Sequence, residues 1–313
     1  MADERRQDLA DERRPGKRSG RRAGLRRLGV WQTRRSSCLA ENSEFAKLTI
    51  AGFTGFVRRN EWNDGLKSLL DEPRRMLDQA AIVKDCYATT VGSVGVAGKY
   101  VFVKRYNSRG TAYALKNIFR SSRAKRVWRA GNVCHVRGIG VALPLAYLER
   151  RKFRMLCESY LLTAAVTGDE LPQVLARQAG SVRTKRLMIR QLARQLRRMH
   201  DRGIAHRDLK GENIIGQELG NSRHKFFVVD FDGIMFRSVS RRVRAKNLAR
   251  LVRAVSVRMP LSASDRLRFV KNYLISPDAP HWRKMYRDLV KFAAKLRSID
   301  ARGLLPLFLW ECF

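Results

Sequence analysis

Residues 206–213 constrain the fold of this chain more than any other feature. They read His-Arg-Asp-Leu-Lys-Gly-Glu-Asn and place a carboxylate, an ammonium and an amide on one short segment. The segment follows residues 183–201, where leucine and methionine recur at helical spacing. Residues 226–229 are apolar and lead directly into Asp230. The pattern predicts an amphipathic helix, a polar loop and a short buried strand with a second carboxylate at its end.

The remaining periodicity indicates two lobes. Strand patterns come early, at 100–103 and 155–163, whereas helical patterns come late, at 247–257 and 282–296. We therefore predict an α+β fold in which a small N-lobe, built on an antiparallel sheet, precedes a larger helical C-lobe.

The first 44 residues differ from the rest in composition. They repeat Asp-Glu-Arg-Arg at 3–6 and 11–14, then turn to proline and glycine, and we expect a basic, flexible leader. We assign residues 45–163 to the N-lobe and 164–313 to the C-lobe. The leader carries a net charge of +5 of the total +37, so the two lobes hold most of the positive charge.

Three elements resemble the nucleotide site of protein kinases. The loop at 206–213 resembles the catalytic loop His-Arg-Asp-Leu-Lys-x-x-Asn over its full length. The residues around Asp230 resemble the Asp-Phe-Gly magnesium site, with Asp232 in place of glycine. Lys104 ends a Val-Phe-Val-Lys run that resembles the strand of the ATP-binding lysine. The resemblance implies a protein-kinase-like fold, with His206 ordering the backbone rather than transferring a proton.

The resemblance also implies a role for each polar residue. Asp208 would accept or orient the proton of the attacking hydroxyl, and Lys210 would reach the γ-phosphate as charge develops. Lys104 would bind the α- and β-phosphates of ATP. Asn213 and Asp230 would bind Mg²⁺, a hard cation that prefers oxygen ligands.

The glycine-rich loop that covers phosphates in protein kinases is missing. The glycines between residues 92 and 98 have a different spacing, and Gly98 lies only six residues before the lysine, so we expect a hairpin turn there. The earlier turn at 84–89 is then the predicted phosphate cover, with Lys84 and Thr89 as the nucleotide-binding residues.

The partner of Lys104 is a second departure. Protein kinases pair this lysine with a glutamate on the following helix, but the chain has no acidic residue between Asp85 and Glu149. Either Glu149 or Glu158 serves, or the pairing is lost. The helix after the lysine strand is instead predicted to carry Arg120, Arg123, Lys125, Arg126 and Arg129.

The segment after Asp230 is a third departure. A helical pattern begins near residue 247, which leaves no room for the long segment that cradles a peptide substrate. This resembles the kinases of small molecules and sugars.

The closer resemblance is to the lipopolysaccharide core kinase family, the Kdo and heptose kinases, from about residue 53 to about residue 269. It is carried by Leu69-Leu70 before Asp71-Glu72-Pro73, Lys84-Asp85, Val103-Lys104-Arg105-Tyr106, Gly-Ile-Gly-Val-Ala-Leu-Pro at 138–144, the Asp208 loop, Asp230-Phe231-Asp232 and 247–251. The resemblance implies transfer of phosphate from ATP to a sugar hydroxyl of the lipopolysaccharide inner core. It also implies a peripheral position on the cytoplasmic face of the inner membrane.

The charge of the chain agrees with an anionic acceptor. A net charge of +37 would repel the cationic substrates of aminoglycoside phosphotransferases, which share the loop. An anionic glycolipid on a charged leaflet would be attracted, so an anionic sugar or glycolipid and an anionic membrane surface are the expected partners. Five scattered cysteines without a Cys-x-x-Cys pair fit a reducing cytoplasm.

Two alternative functions remain open from the sequence. A Rio-like serine/threonine protein kinase bound to nucleic acid would also suit the charge. A pseudokinase that binds RNA or membrane would fit the missing glycine loop and helix glutamate, although the complete set of Asp208, Asn213, Asp230 and Lys104 disfavours it.

Overall fold

The computed structural model describes residues 37–107, 110, 118–178, 180–258, 262–274 and 282–300. A seven-stranded sheet forms the first half, and helices with two small sheets form the second. The strands are β1 Phe45–Ile50, β2 Phe53–Arg58, β3 Ala81–Cys86, β4 Thr89–Val96, β5 Lys99–Tyr106, β6 Pro144–Lys152, β7 Met155–Ala164, β8 Asp169–Glu170, β9 Ile204–His206, β10 Ile214–Glu218, β11 His224–Val228 and β12 Ile234–Phe236. The helices are α1 Asp64–Asp71, α2 Arg123–Val136, α3 Leu171–Arg177, α4 Val182–Asp201, α5 Arg241–Arg258, α6 Ala263–Tyr273 and α7 Trp282–Asp300.

The large sheet has the strand order β1-β2-β6-β7-β5-β4-β3, and each neighbouring pair is antiparallel. The β4–β5 hairpin turns at Ala97 and Gly98, whose φ angles are +46° and +75°. Two consecutive residues with positive φ match the twist of the flanking strands, which explains the glycine. The predicted hairpin turn is therefore confirmed at Gly98, whereas Gly95 lies inside β4 opposite Tyr100.

Helix α2 packs across the sheet and closes its core. Trp128 of α2 is fully buried and contacts the edge of the Phe45 ring at 5.5 Å. Its indole N–H donates to the carbonyl oxygen of Cys38 at 2.7 Å. Cys38 falls within the predicted leader, of which residues 1–36 lie outside the described residues; Cys38 itself is buried, whereas residues 40, 41, 43 and 44 are exposed.

Helix α4 is the central helix of the second half. The Ser181 hydroxyl accepts from the Thr184 N–H at its start, and the chain leaves the helix through Gly203 at φ +72°. Met188, Leu192, Leu196 and Met199 are among its buried residues. This is the amphipathic helix that the leucine spacing predicts. Among the described residues, no helix combines the length and the apolar character needed to cross a bilayer.

A buried histidine joins three helices to the loop that follows α4. His200 Nδ1 lies 2.7 Å from the hydroxyl oxygen of Tyr273 on α6. Its Nε2 lies 3.4 Å from Oδ1 of Asn247 on α5, and the same oxygen accepts the backbone N–H of His206 at 2.8 Å. Burial and the nearby Arg244 lower the pKa of His200 to about 3, so the ring is neutral.

We expect this ring to make the fold sensitive to mild acid. In the unfolded chain a histidine has a pKa near 6.5. Between that value and about 3 the unfolded state therefore binds the extra proton, and stability falls as the pH falls. The loss reaches roughly 2 kcal/mol at pH 5. Urea denaturation at pH 7 and pH 5 should show a smaller loss for His200→Gln, and equal losses in both proteins would contradict this origin.

Candidate active site

The loop after β9 brings the predicted catalytic residues together. The Asp208 side chain is 63% exposed, and Lys210 Nζ lies 3.3 Å from its Oδ2. Leu209, between them, is fully buried and anchors the loop. The Asn213 amide donates to the backbone oxygen of Asp208 at 2.9 Å, which leaves its own oxygen available. The loop thus presents a solvent-facing carboxylate from a fixed backbone.

His206 connects this loop to the loop after β11. Its Nδ1 accepts the Asp208 backbone N–H at 3.1 Å, so its Nε2 carries the proton and donates to the Asp230 carbonyl oxygen at 2.7 Å. Burial lowers the pKa of His206, although its contacts with Asp230 and Asp208 oppose that effect. Both ring nitrogens are engaged by the backbone, which is the ordering role expected from the sequence.

Lys104 of β5 is bound to both aspartates of the second loop. Its Nζ lies 3.2 Å from Asp230 Oδ1 and 2.9 Å from Asp232 Oδ2. Burial by itself would raise the pKa of Asp230, but Lys104 and the backbone N–H of Asp232 lower it below its usual value. The structure thus brings Lys104 and Asp230 into direct contact, and His206 joins the Asp230 loop to the loop that carries Asp208 and Asn213.

The question of a glutamate partner for Lys104 is answered by these contacts. Glu149 bonds Arg151 at 3.3 Å, and Glu158 bonds Arg150 and Arg74. Neither glutamate is the partner of Lys104. The glutamate pairing is lost, which is the third possibility that the sequence left open, and the lysine pairs instead with two aspartates of the loop after β11, which the sequence did not predict.

Lys84 and Thr89 lie on the same side of the sheet as Lys104. Lys84 of β3 is opposite Val91 of β4, which is itself opposite Lys104 of β5. Residues opposite one another in antiparallel strands face the same side, so this register places Lys84 and Lys104 in one row. Thr89 begins β4 and is buried opposite Tyr106. The row thus leads from Lys104 to the edge strand β3, and the β3–β4 turn follows soon after Lys84 at that edge.

Arg123, at the start of α2, was missed as a site residue. Its Nε donates to Asp232 Oδ1 at 2.7 Å, so one carboxylate receives cations from two elements. Its only signal in the sequence was its place between Asp85 and Glu149, where the chain has no acidic residue. The predicted helix began too early, because Ser122 caps α2 and Arg120 precedes it.

The donor atoms present fit a magnesium ion that also binds nucleotide. Asp230 and Asp232 offer carboxylate oxygens and Asn213 offers an amide oxygen, with no soft ligand among them. The described part of the chain has no cluster of three or more His, Cys, Asp and Glu side chains able to hold a metal. A nucleotide-bound Mg²⁺ takes only one or two carboxylates, and phosphates and water complete its octahedron.

The fold and the side chains of four residues define a kinase-like phosphotransferase: Lys104, Asp208, Asn213 and Asp230. The sequence profile of the lipopolysaccharide kinase (Kdo/WaaP) family matches residues 74–273, well over half of the chain. The chain belongs to this family. It is accordingly a kinase that uses ATP, and the family expected from the sequence is confirmed.

The similar proteins include a lipopolysaccharide kinase and a protein kinase. The lipopolysaccharide core heptose(I) kinase WaaP of Escherichia coli is 27% identical over 197 residues, which cover 58% of this chain and 73% of the relative. The serine/threonine-protein kinase dkf-1 of Caenorhabditis elegans is 29% identical over 82 residues, or 24% of this chain and 11% of that protein. A solved structure of WaaP in complex with acyl carrier protein shares the fold, with a TM-score of 0.57 at 20% identity over 76% of this chain and 97% of that one.

Gly233 gives a test of how tightly the two loops are packed. A Cβ at this position would lie 2.7 Å from His206 Cε1 and 3.2 Å from the Asp208 backbone nitrogen. The ring is held at both nitrogens, so it cannot move aside freely. We expect Gly233→Ala to lower the free energy of unfolding by roughly 1–3 kcal/mol.

Gly95 supplies the matched control, because a Cβ there meets no atom within 4 Å. Gly95→Ala should leave stability unchanged or raise it slightly. Urea denaturation measures both variants. If Gly233→Ala were as stable as the wild type, the loops would be looser than their contacts indicate.

Proposed function

We propose that this kinase transfers the γ-phosphate of ATP to a hydroxyl of an anionic, lipid-linked sugar, a heptose or Kdo of the lipopolysaccharide inner core. The observation that carries the proposal is the convergence of Lys104, Asp208, Asn213 and Asp230 in a member of the lipopolysaccharide kinase family. Heptose is placed first because the Escherichia coli relative is by name a heptose(I) kinase.

Phosphoryl transfer depends on positioning and on charge neutralisation more than on covalent chemistry. Asp208 faces solvent at the loop end, so its carboxylate is accessible to an incoming sugar hydroxyl. It would accept or orient the hydroxyl proton. Lys210, 3.3 Å away, would contact the γ-phosphate as charge moves onto its oxygens.

The nucleotide would bind between the sheet and the two loops. Asp230 and Asn213 would hold Mg²⁺, which neutralises phosphate charge when bound. Lys104 would exchange its aspartate contacts for the α- and β-phosphates. The β3–β4 hairpin would contact the phosphates from the sheet side of the cleft. Its contacts would come from Lys84, in the same row as Lys104, and from Thr89, beside the turn.

The path of the chain after Asp230 favours a small acceptor. The chain passes through β12, which pairs with β9, and enters α5 at Arg241. A segment this short does not form the platform on which protein kinases bind an extended peptide. The geometry supports a sugar acceptor in preference to a protein.

Charge supports an anionic glycolipid at a membrane surface. Helix α5 has no acidic residue, and its first turn begins with Arg241 and Arg242. Each basic residue near an anionic leaflet contributes roughly 1 kcal/mol of attraction. We therefore place the enzyme at the cytoplasmic face of the inner membrane, as a peripheral protein.

The acceptor is tested with γ-labelled ATP, Mg²⁺ and two purified glycolipids, one that ends at Kdo and one that also carries heptose. We expect label in the heptose-containing lipid only. Label in both would assign the hydroxyl to Kdo. Label recovered in added protein instead of lipid would contradict the proposal and favour a Rio-like protein kinase.

Asp208→Asn should bind ATP normally and lose phosphate transfer. The replacement keeps the shape of the side chain, but a neutral amide cannot take the hydroxyl proton. Loss of a general base costs roughly 10²–10⁴-fold in kcat. Single-turnover transfer and calorimetric ATP binding measure the two steps separately. A variant with the turnover of the wild type would remove Asp208 from the mechanism.

Asp230→Asn should weaken Mg²⁺-dependent nucleotide binding, because an amide is a poorer ligand than a carboxylate for a hard dication. Titration of Mg²⁺ at fixed ADP measures the effect. Asp232→Asn is the matched control. Asp232 is separated from Asp230 only by Phe231 in the sequence, and the variant should keep the metal dependence. If the control alone lost it, the metal ligand would be Asp232.

A further inference from the structure

Helix α2 begins with an unfavourable arrangement of charge. Its first turn contains Arg123, Lys125 and Arg126 and has no acidic residue. The N-terminus of a helix carries partial positive charge, so cations there destabilise it unless an anion lies close. The N-cap Ser122 is neutral, and its hydroxyl accepts one backbone N–H, that of Lys125. The missing anion must come from another element.

That anion is Asp232, on the loop after β11. Its Oδ1 accepts from Arg123 Nε at 2.7 Å, and its Oδ2 accepts from Lys104 Nζ at 2.9 Å. The Asp232 side chain is 14% exposed, against 35% for Asp230. One carboxylate thus bridges the first residue of α2 to the lysine of β5, away from the more open side where Asp230 lies.

The ring of Tyr106 fixes the distance between the two cations. Arg123 lies 5.0 Å and Lys104 5.5 Å from the ring centroid. The ring is buried, and burial together with the Asp232 charge raises the pKa of its hydroxyl well above 10. Charges beside a buried apolar ring are weakly screened, so the contacts of both cations with Asp232 are stronger here than on an open surface.

The Arg123–Asp232–Lys104 contact takes the place of an ion pair known from protein kinases, but the helix contributes a charge of the opposite sign. In protein kinases a glutamate of the helix pairs directly with the lysine. Here the helix contributes a cation, and the acid comes from the loop that also carries Asp230. Lys104 is therefore linked to α2 through the Asp232 carboxylate, beside the Tyr106 ring that both cations contact.

We propose that Arg123 is a positioning residue for the nucleotide, which holds the Asp232 carboxylate so that Lys104 is aimed at the phosphates. The proposal rests on the proposed binding of ATP in this cleft. Without Arg123, Asp232 would keep a single cation and bind Lys104 more tightly. The lysine would then be less available to phosphate, and nucleotide binding would weaken.

A double-mutant cycle tests this dependence. The dissociation constant of Mg·ADP is measured by calorimetry for the full chain, Arg123→Gln, Asp232→Asn and the double variant. We expect Arg123→Gln to raise the constant about tenfold, as for loss of a hydrogen bond to a charged group. In the D232N background the same change should have an effect of about twofold or less, because Arg123 acts through the carboxylate.

Arg126→Gln is the matched control, since it removes the same charge from the same turn but Arg126 is exposed and bonds only the Ser121 carbonyl among the contacts described. It should change the constant by less than about twofold. Arg123→Lys keeps the charge without the Nε donor and serves if the glutamine variant does not fold. Its smaller loss should likewise vanish in the D232N background.

Four outcomes decide the matter. A loss of nucleotide affinity that Arg123→Gln causes only when Asp232 is intact, and not in the D232N background, supports the proposal. An equal loss in both backgrounds would make Arg123 an independent phosphate-attracting cation, and no loss beyond that of Arg126→Gln would remove it from the site; either overturns the proposal while leaving the kinase function intact. A wild-type chain that binds no Mg·ADP would overturn the proposed nucleotide site and this inference with it.

Discussion

The contact of Lys104 with Asp230 and Asp232 is the interaction on which the rest of the site depends. It joins the central part of the large sheet to the loop that follows β11, and through His206 to the loop that carries Asp208. A strand and two loops from distant parts of the chain are thereby fixed relative to one another. Carboxylates are scarce in this chain, which has 28 acidic residues against 65 lysine and arginine residues, and two of the 28 meet at Lys104.

Much of the site could be predicted from the sequence because its parts are local. The helix that ends at Asp201, the loop to Asn213 and the strand before Asp230 each follow from residues that are neighbours in the chain. The partner of Lys104 could not be predicted, because a pairing across more than a hundred residues leaves no periodic signal. Arg123 was missed for the same reason.

Neutral histidines hold the loops in a chain that is otherwise strongly cationic. His200 and His206 are both buried, and burial lowers the pKa of each. A protonated His200 would face Arg244 and Arg197, and a protonated His206 would lose the nitrogen that accepts the Asp208 N–H. Asn247 accepts from His206 without adding charge, so α5 supports the loop through a neutral contact.

The balance of charge in the cleft explains why Asp232 replaces a glycine. Without nucleotide, Lys104 and Arg123 are matched by Asp230 and Asp232, and the four groups are neutral as a set. In the proposed reaction Asp230 would help to hold Mg²⁺, and the triphosphate would bring more negative charge than one dication neutralises. Lys104 would then bind the phosphates, and Asp232 would keep Arg123 as its partner rather than become an unpaired buried acid. A glycine at 232 would leave Lys104 paired with Asp230 alone and would remove the carboxylate that Arg123 bonds.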